Sequence, residues 1–213
     1  MYRKYLKRLL DIVFSFVAIL CLGPLFFIIA LLILFHLGSP VIFRQNRPGM
    51  NERIFTLYKF RTMTAERGEC GELLPDGMRA TAFGNRLRSS SLDEIPQLVN
   101  ILLGDMSFVG PRPLLPGYLP FYTADERVRH SVRPGLTGRA QISGRNTLEW
   151  DARLKKDTEY VRDLCVQEDF RIIFKTVRKV LRKENILNRD EDRLPDLSVE
   201  RSGLVGGSTA GHG

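Results

Sequence analysis

IVFSFVAILCLGPLFFIIALLILFHLGSPVIF, residues 12–43, runs for 32 residues without a formal charge, broken near its middle by Gly23-Pro24. A hydrocarbon core about 30 Å thick needs about 20 apolar residues for a straight span, so Ile12 to Leu37 is long enough to cross. Crossing is not required. Pro24 removes one backbone donor and its ring clashes with the carbonyl four residues back, so the sequence predicts a bend there. Each half then reaches about 16 Å at 1.5 Å per residue, roughly half a bilayer. Arg3, Lys4, Lys7 and Arg8 precede the run and Arg44, Arg47 and Arg53 follow it, and positive charge prefers the cytoplasmic side. Both flanks therefore read as cytoplasmic. A re-entrant helix-break-helix satisfies both signals, whereas a kinked span must put one basic flank outside. The run is too long for a cleaved leader and lacks a small-residue cleavage site before Leu37.

The remainder of the 213 residues is enough for one compact domain and a tail. The expected fold class is α+β, mostly helical, with residues 1–40 as the membrane element, 41–187 as a cytosolic catalytic domain and 188–213 as a disordered tail. A net charge of +8 and a pI near 9.7 suit nucleic acid, an anionic leaflet or a phosphorylated substrate. The membrane segment favours the last two over nucleic acid. Cys21, Cys70 and Cys165 form no CxxC pair, and His36, His130 and His212 are scattered, which leaves no zinc or disulfide signature. No Walker A or GxGxxG loop is present.

Val41–Arg44 and Ile54–Lys59 are β-rich runs separated by Pro48-Gly49 and read as a hairpin. Ser91 to Leu103 reads as a helix, with Ser91 and Glu94 spaced as a capping box and Gly104 as its stop. Residues 109–120 hold four prolines and read as extended or turn-rich. Their Leu114, Leu115, Tyr118 and Leu119 suit either headgroup contact or packing. Trp150 to Leu164 and Asp169 to Lys183 read as helices. In the second, Phe170, Ile173, Phe174, Val177, Val180 and Leu181 share one face and six basic residues populate the rest, a pattern for an anionic membrane surface or for a core helix with a solvated basic face.

Asp93-Glu94 is the sharpest polar pair. Adjacent helical residues point about 100° apart, so the two carboxylates should have different roles. An aspartate at a helix start can hold a divalent cation, attack phosphorus, or simply cap. Lys59, Arg61, Arg86, Arg88, Arg112 between Pro111 and Pro113, Arg139 and Arg145 supply cations whose forks suit phosphate oxygens.

The blocks Tyr58 to Met63, Arg88 with Ser91 to Leu98, Gly104 to Pro113 and Arg133 to Gly138, in that order, resemble the bacterial sugar transferases, the monotopic phosphoglycosyl transferases. The likeness runs from about Tyr5 to Lys183. Lacking an N-terminal transmembrane bundle, the chain is similar to the small form that starts bacterial N-linked glycans. The resemblance implies transfer of a phospho-sugar from a UDP-sugar to undecaprenyl phosphate with release of UMP, as the first membrane step of glycan assembly. It implies magnesium, a re-entrant membrane helix, and a monotopic place on the cytoplasmic face of the bacterial inner membrane among anionic lipids. It assigns Asp93 as nucleophile and magnesium ligand and Glu94 as its partner, and it matches Lys59, Arg88, Arg112, Pro113, Arg145 and Asp157 to positions around the phosphates and nucleotide. Close relatives often carry Ser-Pro where this helix has Gly-Pro. Two other readings follow from the residues alone: a membrane-tethered protein that docks nucleic acid or anionic lipid without chemistry, and a membrane phosphatase.

Overall fold

The computed structural model describes residues 1–144, 148–182 and 196–205. A π-helical turn, Tyr2–Leu6, leads into α1, Lys7–Leu37. The interruption expected at Gly23-Pro24 does not end this helix. Pro24 lies inside it, and Gly38, at φ 74, stops it by donating to the carbonyls of Ile33 and Leu34. One proline costs a single backbone hydrogen bond, and the helix, 31 residues or about 46 Å long, is held along its whole length.

The holding stripe recurs every three or four residues, as a helix face must. Asp11 accepts from the Ser107 hydroxyl at 3.0 Å and the Phe108 amide at 3.1 Å. Ala18, Ile19 and Leu22 pack with Leu57, Leu98, Ile101 and Met106, and Phe26, Ile29 and Ile33 pack with Phe60 and Leu87. Leu9, Val13, Phe16, Val17, Leu20, Phe27, Ile28, Leu31 and Phe35 stand exposed on the other side. Of the apolar residues in this helix only Ile29 and Ile33 are buried, so the rest of its surface needs an apolar solvent.

β1, Ile42–Pro48, pairs antiparallel with β2, Ile54–Phe60, giving the expected hairpin with wider bounds. Two short helices follow, α2 at Asp76–Arg79 and α3 at Ala82–Ser89. α3 presses so closely on the chain after β2 that a Cβ on Gly84 would lie 1.8 Å from the Thr62 carbonyl.

The helix expected over Ser91 to Leu103 forms in two pieces. Leu92–Glu94 is a 3₁₀ turn and α4 covers Gln97–Leu103, stopped by Gly104 at φ 100. The capping box is absent: Ser91 is left-handed, with φ 59, and its side chain caps nothing, because an N-cap needs extended backbone.

β3, Ser107–Val109, runs parallel to β4, Gly135–Thr137. Here backbone meets backbone, since a Cβ on Gly135 would sit 2.1 Å from the Gly110 nitrogen. The Gly135 amide donates to the Pro111 carbonyl at 2.9 Å. The proline-rich segment between these strands is extended and then 3₁₀ at Pro116–Phe121, and its Leu114 and Tyr118 pack into a cluster with Tyr122, Trp150 and Leu154. Packing, rather than headgroup contact, takes those two residues.

α5, Ala124–Arg127, and α6, Arg139–Ser143, are short; α7, Trp150–Arg162, and α8, Val166–Arg182, match the two expected helices. α9, Leu197–Val205, departs from the expected disordered tail. Leu197 is fully buried in the Trp150 cluster, and Arg201 pairs with Glu126 at 2.7 Å and with Asp151.

Candidate active site

Four chain segments deliver the polar residues to one place. β2 ends at Phe60 and carries Lys59, α3 carries Arg88, the 3₁₀ turn carries Asp93 and Glu94, and the segment after β3 carries Arg112. The Lys59 ammonium donates to Glu94 Oε1 at 2.9 Å and Arg112 Nη2 donates to the same oxygen at 3.0 Å. Arg88 donates to the Thr62 hydroxyl at 3.0 Å, the residue that Gly84 lets α3 approach.

The two carboxylates differ as adjacent helical residues should. Burial pushes Glu94 up, but Arg112 and Lys59 outweigh it and hold the carboxyl down to about 2. Glu94 is a fixed anion that two cations grip. Asp93 is only 6% exposed, and no described residue donates a hydrogen bond to it. Burial raises it to about 6, with Glu94 adding to the rise and Lys59, Arg112 and Arg88 opposing it. A buried carboxylate beside three cations, with no hydrogen-bond donor among the described residues, keeps its oxygen lone pairs available, which suits either attack on phosphorus or metal binding.

Arg112 is held rigidly. Pro111 and Pro113, both buried, fix the backbone on either side, and Arg129 Nη2 donates to the Arg112 carbonyl at 2.7 Å. Arg129 in turn is paired with Asp157 at 2.8 Å, both side chains almost fully buried. Asp157 therefore stands behind the site, three contacts from Glu94, rather than in it. Arg145 lies outside the described residues. Arg139 pairs with Asp163 and Glu168, and Arg61 donates to the Gly38 and Ser39 carbonyls where α1 ends; neither reaches the carboxylates.

Sequence reading missed Thr62 and Arg129 as parts of this arrangement. Arg129 and Asp157 are 28 residues apart and share no local pattern, so only the fold pairs them. Among the described residues no three histidines, cysteines or acids cluster as a metal cage. A magnesium ion is commonly held by one or two carboxylates plus substrate phosphates, and Asp93 offers one such carboxylate while Glu94 is engaged by its cations.

The bacterial sugar transferase family matches residues 2–183. The chain is 48% identical over 181 residues to an uncharacterised sugar transferase of Bacillus subtilis, EpsL, covering 85% of this chain and 90% of that protein. It is 36% identical to the undecaprenyl-phosphate galactose phosphotransferase of Salmonella typhimurium, over 85% of this chain and 41% of that one. It is 39% identical to the UDP-glucose:undecaprenyl-phosphate glucose-1-phosphate transferase of Escherichia coli, over 83% of this chain and 40% of that one. This chain thus spans about two-fifths of those two enzymes and nearly all of EpsL. The matched stretch contains α1, the hairpin, both carboxylates and the arginine-bearing segment, and the chain belongs to the bacterial sugar transferase family.

Proposed function

We propose that the protein transfers a phospho-sugar from a UDP-sugar to undecaprenyl phosphate through a covalent Asp93 intermediate. The observation that carries this reading is the contrast within the carboxylate pair: Glu94 gripped by Lys59 and Arg112, Asp93 buried with no hydrogen-bond donor among the described residues. An Asp93 oxygen attacks the sugar-bearing phosphorus, the bond to the bridging oxygen breaks, and UMP leaves with that oxygen. An oxygen of undecaprenyl phosphate then attacks the same phosphorus and frees the Asp93 carboxylate. Lys59, Arg88 and Arg112 offset the repulsion between a carboxylate and a diphosphate, and Glu94 orients two of them. Magnesium, held by Asp93 and substrate phosphates, would add to that neutralisation.

Support comes also from the named activities of the Salmonella and Escherichia coli relatives and of an Aeromonas hydrophila N-acetylgalactosaminephosphotransferase, 36% identical. Those names differ in the sugar, so the test is UMP release from a panel of UDP-sugars with and without undecaprenyl phosphate. A limited release of UMP with one UDP-sugar alone, becoming sustained with the lipid, is expected. Absence of UMP under both conditions would remove the reading.

We propose further that α1 enters and leaves the bilayer on the cytoplasmic side. Near its start, Tyr2 and Lys7 donate to Asp169 of α8 at 2.5 Å and Arg8 donates to the Ile101 and Leu102 carbonyls. At its far end Arg61 holds the last carbonyls. One domain grips both ends, which a spanning helix with about 30 Å of lipid between them would not permit. The exposed Phe170, Ile173, Phe174 and Val177 of α8 extend the same apolar surface beside Phe14, and Arg171, Lys175 and Arg178 suit anionic lipid. Cysteines placed at Lys4 and Arg53, with the native cysteines changed to serine, should both label from the cytoplasmic side alone. Labelling of either from outside identifies a true span.

A further inference from the structure

The β1–β2 hairpin has a second cation on the face that carries Lys59. Phe43 pairs with Lys59, Gln45 with Leu57 and Arg47 with Phe55, and directly paired residues of antiparallel strands project to the same side. Lys59 and Arg47 therefore stand at opposite ends of one face, four residues or about 13 Å apart along the strand. Leu57 between them is buried against α4, which fixes that face toward the site.

Arg112 lies between these two ends. On one side it meets Glu94, the partner of Lys59. On the other it lines a small hole together with Pro48 and Gly49, the two residues after Arg47. Among the described residues the Arg47 side chain makes one hydrogen bond, Nη2 donating to Gln45 at 2.7 Å. Its Nε is buried with no partner. The groups whose charge bears on Arg47, after burial itself, are Arg112, Tyr118 and Tyr122, with no carboxylate among them. Two guanidinium groups near one another, one with an unsatisfied buried donor, form an arrangement that an anion completes. The fork of a guanidinium fits phosphate oxygens in particular.

The identity of that phosphate follows from the direction of displacement. Asp93 adjoins Glu94, which Lys59 grips at one end of the hairpin face, whereas Arg47 stands at the other end with Arg112 between them, so Arg47 is beyond Arg112 as seen from the nucleophile. Attacking and leaving oxygens in phosphoryl transfer lie roughly in line on opposite sides of phosphorus.

We propose that Arg47 is a leaving-group residue, its guanidinium binding the phosphate of the departing nucleoside monophosphate on the far side of Arg112 from Asp93. This rests on the phosphoglycosyl transfer proposed above and assigns a residue to one half of it.

Because the reaction has two half-reactions, the assignment is separable from its premise. Arg47→Gln and Arg47→Lys are assayed with the preferred UDP-sugar, undecaprenyl phosphate, and UMP as product inhibitor. Losing a charged hydrogen bond of the usual strength should lower kcat/KM for the UDP-sugar, and weaken inhibition by UMP, by about 10-fold to 100-fold in Arg47→Gln. Arg47→Lys should recover part of both, and kcat/KM for undecaprenyl phosphate should stay at the wild-type value. Unchanged UMP inhibition in Arg47→Gln overturns the proposal, as does a selective loss of kcat/KM for undecaprenyl phosphate, which would assign the phosphate to the acceptor. A wild-type protein that releases no UMP would instead remove the underlying reading.

Discussion

Asp93→Asn should reduce turnover by roughly four orders of magnitude or more while making the protein more stable. The amide keeps the size of the side chain and cannot attack phosphorus, and removing a nucleophile eliminates the covalent route rather than slowing it. The stability gain follows from burial. Asp93 is raised from 3.8 to about 6, with burial the largest cause, so the native state holds this proton more tightly than the unfolded chain does. Stability therefore falls as pH rises across that interval, and at neutral pH the ionised carboxylate costs about 1 to 3 kcal/mol. Asparagine removes the cost. The same ionisation gives the wild type an activity that rises through about pH 6 as Asp93 loses its proton, while Glu94, held down to about 2, stays charged throughout. Three measurements check the set: turnover, a thermal melt in detergent, and labelling of the protein by UDP-sugar carrying radioactivity in the sugar. The label should appear on wild type without any lipid, be discharged by undecaprenyl phosphate, and be absent from Asp93→Asn. Ordinary UMP release by Asp93→Asn would leave Asp93 as a metal ligand at most.

The parts of this architecture that the sequence shows are those whose cause is local. The hairpin is legible because two β-branched and aromatic runs flank Pro48-Gly49, and α4 ends where Gly104 permits a left-handed residue. α7 and α8 are legible from period. What period does not show is which face of α8 packs. Its apolar stripe, Phe170, Ile173, Phe174 and Val177, is exposed, and the buried side is Asp169, Ile172 and the partly buried Thr176. That packed face is half polar: Asp169 accepts from Tyr160 and Tyr2, and Thr176 meets Thr137 at 2.7 Å. Hydrophobicity alone cannot find such a face, since satisfied polar groups replace apolar area. The Ser91 cap fails for the opposite reason, a correct residue type in a backbone conformation that the tertiary fold imposes. At the site, Lys59, Asp93, Glu94 and Arg112 are legible as motif residues, but their grouping around a single Glu94 oxygen requires the hairpin, the 3₁₀ turn and β3 to meet. Arg129 carries no local signal at all.

Asp157→Asn should be the most destabilising of single substitutions near the site, by about 3 to 5 kcal/mol, because it leaves the Arg129 charge buried without its counter-ion. The side chains of Arg129 and Asp157 are 1% and 2% exposed, and Arg129 donates twice to Asp157 Oδ2, at 2.8 and 3.2 Å. For a chain of this length that loss lowers the melting temperature by roughly 6 to 20 °C. The pair also has a duty toward the site, since Arg129 Nη2 holds the Arg112 carbonyl at 2.7 Å and Arg112 aims its guanidinium at Glu94. Stability and positioning are separated by removing both charges together. Arg129→Met with Asp157→Leu replaces a buried ion pair by apolar side chains of similar volume, a change that is often neutral or stabilising. The double variant should therefore regain most of the melting temperature that Asp157→Asn loses. Its kcat should remain low, by about 10-fold or more, because the Arg112 carbonyl has lost its donor and a small misplacement of a phosphate-binding group is costly. If turnover returns together with stability, the pair serves the fold alone; if stability returns and turnover does not, Asp157 acts on the reaction through Arg129 and the backbone of Arg112.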